Sequence, residues 1–103
     1  MGITYLDKPI QPGEELLRYM NFGYRLATGD TVASCTITGT DEEGTVVTSS
    51  LTDGPSGYSG AYVYYNLKGP AGGSGKLYHL RFVAQSTAGA IVEEDLYVPC
   101  KNL

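Results

Sequence analysis

Between Ala61 and Val98 apolar and polar positions alternate in three runs, separated by a glycine-dense stretch at 69–75 and by a turn at Thr87-Ala88-Gly89. In the middle run Tyr78, Leu80, Phe82 and Ala84 share one parity, with His79 and Arg81 between them. Successive side chains of a strand point to opposite faces, so a period of two marks a strand buried on one side. The pattern predicts strands over 61–67, 76–85 and 90–98.

Upstream the signal is less uniform. Residues 31–38 are β-branched enough to form a strand, and 45–51 reads as another after the polar loop Thr40-Asp41-Glu42-Glu43-Gly44. The run 15–26 suits helix and strand alike. Its aromatic residues and Gly23 favour a strand over 16–22 with Met20 and Phe22 facing in, and leave one helical turn around 24–27 as the alternative. Residues 52–60, with Asp53-Gly54-Pro55 at their start, read as a loop. A short edge strand fits at 3–6, where Pro9 and Pro12 exclude a central place for the lead-in 1–13. About seven short strands with turns between them predict an all-β protein, an antiparallel β-sandwich over 14–103. Tyr78, near the start of the penultimate strand, stands where immunoglobulin-like sandwiches place a tyrosine corner, which sharpens the expectation to an immunoglobulin-like antiparallel β-sandwich. Trp is absent and the two cysteines do not match the usual immunoglobulin disulfide.

Composition adds limits. The 103 residues allow one domain, and 14 glycines with nine tyrosines suit strands and tight turns. The net charge of −4 comes with no basic stripe, which argues against nucleic acid or an anionic membrane as partner. No apolar run approaches the roughly 20 residues that span a bilayer. The start MGITYLDKPIQPGEE lacks the basic and apolar regions of a signal peptide, and Leu6 stands where a myristoylation motif wants Ser or Thr. Without a secretion signal, Cys35 and Cys100 are expected as reduced, packed thiols; a disulfide between them stays open.

Candidate chemistry is sparse. His79 is the one histidine, with no ligand or nucleophile at useful spacing, so it reads as a surface or interface residue. Asp41-Glu42-Glu43 reads as a solvated turn, and 69–75 lacks the Gly-Lys-Ser/Thr ending of a phosphate loop. Glu93-Glu94-Asp95 on a strand suits an edge protected by charge. If Val63, Tyr65 and Leu67 fill the core, Tyr62 and Tyr64 stand on the outer face, with Tyr58 in the preceding loop. Tyrosines give large contact area at low entropic cost, so Tyr58, Tyr62, Tyr64 and His79 are the candidate interface residues. Ordinary cross-strand aromatic pairing is the competing explanation.

Two longer phrases then stand out. The first runs Phe22-Gly23-Tyr24-Arg25-Leu26-Ala27-Thr28-Gly29-Asp30-Thr31-Val32-Ala33-Ser34. The second runs Leu67-Lys68-Gly69-Pro70-Ala71-Gly72-Gly73-Ser74-Gly75-Lys76-Leu77-Tyr78 and is followed by Ser86-Thr87-Ala88-Gly89. From about residue 14 onward the chain resembles small Ig-like structural proteins of tailed bacteriophages. It departs from them at Phe22, where the family often has Trp, and in the tail Pro99-Cys100-Lys101-Asn102-Leu103. The resemblance implies a non-enzymatic virion component at head, neck or tail, assembled in the host cytoplasm, without cofactor or metal. Its partners would be other virion proteins and copies of itself. The alternative from another class is a carbohydrate-binding or adhesion module that uses Tyr58, Tyr62 and Tyr64 as a stacking platform for a host-surface glycan.

Overall fold

The computed structural model describes residues 2–6 and 8–102, the first four of these as backbone only. Among them seven strands and one helical turn follow in the order β1 (Gly2–Tyr5), β2 (Glu15–Asn21), β3 (Val32–Thr40), α1 (Thr48–Leu51), β4 (Gly57–Ser59), β5 (Tyr62–Lys68), β6 (Leu77–Ser86) and β7 (Ile91–Pro99). They form a β-sandwich. One sheet runs β1-β7-β6-β3 and the other β2-β5-β4. All pairs are antiparallel except β1 with β7, where Gly2 lies beside Glu94 and Tyr5 beside Tyr97.

The alternation read from the sequence sets the core. On β6, Tyr78, Leu80, Phe82 and Ala84 are buried, and on β5 Val63, Tyr65 and Leu67 meet them from the other sheet. The Tyr65 and Phe82 rings pack edge to face with centroids 4.9 Å apart. Aromatic pairs prefer this arrangement because ring edges are positive and ring faces negative. Met20 and Phe22 face inward, as expected for a strand rather than a helix at 16–22. The helical turn considered at 24–27 is not formed; the chain makes a hydrogen-bonded turn over 22–25 instead, with the Arg25 N–H donating to Phe22 O.

Two expectations fail in the fourth segment. Residues 45–51 are not a strand. Only Val46 bridges to Thr40, after which the chain turns into α1. The cause is tertiary. Thr48 Oγ1 accepts the Gly39 N–H at 3.0 Å, and Leu51 is driven into the core opposite Gly39. A Cβ on Gly39 would lie 2.7 Å from Leu51 Cδ1, so this docking needs a residue with no side chain there. The strand expected here is replaced by β4, inside what reads as the loop 52–60, where Gly57–Ser59 pairs with β5.

The acidic run also differs from expectation. β7 lies between β6 and β1 and is not an edge. Glu94, in phase with Val92 and Leu96, points between the sheets and is 1% exposed. Arg25, from the β2–β3 turn, reaches the same end of the core: its Nη1 lies 3.8 Å from Glu94 Oε2 and donates to Glu93 O at 3.0 Å. Isolated carboxylates are expensive to bury, and the guanidinium offsets that cost. Both cysteines are buried and free, and the disulfide is not formed.

Candidate functional site

The site residues expected from sequence divide among three places. Tyr62 and Tyr64 lie on the outer face of the three-stranded sheet, opposite Asn21 and Tyr19 of β2. Cross-strand partners share a face, and Tyr19 closes on both: its ring lies 5.2 Å from that of Tyr62 at 72° and 6.2 Å from that of Tyr64 at 57°. Leu17, two residues earlier on β2, extends the apolar surface. Leu17 is 73% exposed, Tyr19 61% and Tyr62 40%, so this face is not buried within the chain. Its polar rim includes Glu15 Oε1, which accepts from Asn66 Nδ2, and Lys68, paired with Asp53 at 2.9 Å. That hydrogen bond from Lys68 holds the Asp53 carboxyl below its usual pKa.

Tyr58 does not belong to this surface. It lies on β4 beside Val63, whose side chain is buried, so it faces the opposite way from Tyr62 and Tyr64. Its hydroxyl accepts the Cys35 N–H at 3.0 Å, joining the edge of one sheet to the edge of the other. A three-tyrosine platform is therefore not formed. The tyrosine that completes the face is Tyr19. With Met20 and Phe22 placed inward, alternation alone assigns Tyr19 to the outer face.

His79 lies on the other sheet. Its Nε2 is 2.6 Å from Asp95 Oδ1, which also accepts from Arg81 Nε at 3.1 Å, and its ring stacks on Tyr97 at 4.9 Å. Asp95 is nearly buried beneath them. The hydrogen bond that Arg81 donates to Asp95 raises its guanidinium above the usual pKa. A histidine oriented by a carboxylate is two-thirds of a hydrolytic triad, but the third member would be a hydroxyl or thiol on the imidazole, and no described contact supplies one. Burial pushes the Cys35 thiol up to about 11 and raises that of Cys100, so neither is an activated nucleophile. Among the described residues no three His, Cys, Asp or Glu side chains gather as a metal site.

The first of the two sequence phrases meets the stretch Ser86–Gly89 in space. Asp30 Oδ1 accepts the N–H groups of Thr31 and Ala88, Thr87 N donates to Thr31 O, and the hydroxyls of Thr31 and Thr87 lie 2.8 Å apart. This knot ties the β2–β3 turn to the β6–β7 turn. Comparison with protein-family models and with curated proteins finds no match for the chain.

Proposed function

We propose that the chain is a non-enzymatic structural component of a tailed-phage virion, an Ig-like module that docks on other virion proteins or on its own copies. The observation that carries this reading is the outer face of β2 and β5, where the exposed Leu17, Tyr19 and Tyr62 and the half-buried Tyr64 form one apolar stripe. Single exposed apolar residues are ordinary, but a contiguous group of this kind is a recurrent mark of a protein contact. The strand orders support the Ig-like assignment. β2-β5-β4 and β7-β6-β3 match the two sheets of such sandwiches, with β1 placed beside the last strand. Tyr78, buried near the start of β6, stands at the tyrosine-corner position.

The carbohydrate module is less well supported. Sugars stack on ring faces, whereas Tyr19 meets Tyr62 nearly edge-on and Tyr58 lies off the surface. Mass spectrometry of purified particles from the producing lysate tests the leading reading. Copies in fixed ratio to the major capsid protein mean head decoration, and up to some tens per particle mean neck or tail. Absence from particles overturns it, and binding on a glycan array that is lost in Tyr62→Ala/Tyr64→Ala moves the module to the front.

A further inference from the structure

Unpaired backbone groups on the edge of a sheet are a template for another strand, and natural sandwiches usually blunt them. Three of the four edges here are blunted. β4 is three residues long and β1 four. β3 is longer, but along its outer side Val32 N–H goes to Gly60 O, Cys35 N–H to the Tyr58 hydroxyl and Gly39 N–H to Thr48 Oγ1. β2 is the exception. The bonds from Phe22 N to Ala61 O and from Gly69 N to Glu14 O show that even-numbered residues of β2 face β5. Partners alternate along an antiparallel ladder, so the N–H and C=O of Glu15, Leu17, Tyr19 and Asn21 point off the edge of the sheet. Among the described residues nothing pairs with them. The strand carries no proline, lysine or bulge; its charges are the exposed Glu15 and Arg18, the latter in phase with Met20, and its outer side chains include the exposed Leu17 and Tyr19.

We propose that this edge pairs with β2 of a second copy, antiparallel about a two-fold axis. The inference rests on the contact-face reading above and names its partner. Only registers that set odd residues against odd bring the open N–H and C=O groups together. A centre at Arg18 would place two guanidinium groups directly opposite, which is unfavourable. A centre at Leu17 sets Leu17 against its copy and Glu15 against Tyr19, giving about six main-chain hydrogen bonds, two from each facing pair. Arg18 then lies opposite Leu16 and diagonal to Glu14 of the second copy, so charges of opposite sign come within reach. The two three-stranded sheets become one continuous sheet, and the two stripes of Leu17, Tyr19, Tyr62 and Tyr64 lie side by side across the axis.

Sedimentation equilibrium of the purified chain from low micromolar to near-millimolar concentration tests the pairing. A monomer–dimer equilibrium is expected, with amide exchange at Leu17 and Tyr19 slowing as the dimer forms. Leu17→Pro removes both central donors without touching a bond to β5, and raises the dissociation constant about thirtyfold or more. Leu17→Lys, which puts two cations at the axis and keeps the backbone intact, acts in the same direction. Circular dichroism and thermal melts confirm that each variant is folded. A chain that stays monomeric throughout, or a dimer indifferent to both variants, overturns the pairing. So does an edge occupied only by a strand of another virion protein. If the chain is monomeric yet Tyr62→Ala/Tyr64→Ala is lost from particles, the pairing fails and the contact-face reading stands. A dimer broken by Leu17→Lys in a protein absent from particles leaves the pairing and sinks the virion assignment.

Discussion

Deleting one oxygen atom separates the two roles that tyrosines play in this sandwich. Tyr58→Phe keeps the ring, its place on β4 and the pairing of β4 with β5, and removes only the acceptor of the Cys35 N–H. A hydrogen bond contributes about 0.5–1.5 kcal/mol net, and a donor stranded away from water costs about 1–3 kcal/mol. Tyr58 is 42% exposed, so water reaches part of the gap and the lower figures apply. We expect a loss of about 1 kcal/mol. Unfolding entropy of about 2.1 cal/mol/K per residue gives about 0.2 kcal/mol/K for a chain of this length, so the midpoint falls by about 4–5 °C. Calorimetry at neutral pH reads the midpoint, and amide exchange at Cys35 reads the opened edge. Docking through the outer face is unchanged, because Tyr58 points to the other side of β4. An unchanged midpoint with lost docking would refute this and return Tyr58 to the contact surface.

Other consequences follow from the buried charges, the raised acids and one crowded glycine. Arg25→Ala leaves Glu94 in the core without its guanidinium and costs about 2–4 kcal/mol by urea titration, the lower end reflecting the partial exposure of Arg25. Burial lifts the Cys35 thiol from 9.0 to about 11 and the Tyr65 phenol from 10.0 to about 12. The folded chain therefore keeps protons that the unfolded chain has released, and stability complete below pH 9 is lost as pH rises through 9–12. Urea midpoints measured across that window fall with pH, and Tyr65→Phe flattens the upper part. A Cβ on Gly69 would run into the carbonyl of Gln11, so Gly69→Ala destabilises by about 2 kcal/mol or more. Gly44→Ala meets no atom and carries only the strain of its positive φ, about 1–2 kcal/mol in a thermal melt.

How much of this could be read from the sequence depended on whether the cause was local. β5, β6 and β7 alternate because each buries one face, and the chain itself displays that period. The same parity carries the outward place of Tyr19, once Met20 is inward, and the phase of Glu94 with Val92 and Leu96, although neither was drawn from it. Three carboxyl groups in a row suggest solvent more strongly than parity suggests burial, and the residue that reverses this, Arg25, lies far away along the chain. The segment at 45–51 failed for a related reason. Its β-branched residues favour a strand, but Gly39 leaves a hole that Leu51 fills and Thr48 caps, and neither contact has a signature in sequence. β4 is held by its pairing with β5, so nothing within residues 57–59 announces it, and the direction of Tyr58 was hidden with it.

Docking into a particle through the stripe of Tyr19, Tyr62 and Tyr64, as proposed, is open to a direct test. The most direct measurement supplies wild-type chain and the Tyr19→Ser/Tyr62→Ser/Tyr64→Ser variant in equal amounts during assembly. Both are then counted by mass spectrometry in purified particles, with a melt to show that the variant is folded. Wild-type chain is expected to be incorporated and the folded variant to be depleted at least about tenfold, the share of affinity carried by central aromatic contacts. Equal incorporation of the two, or neither in the particle, would contradict it.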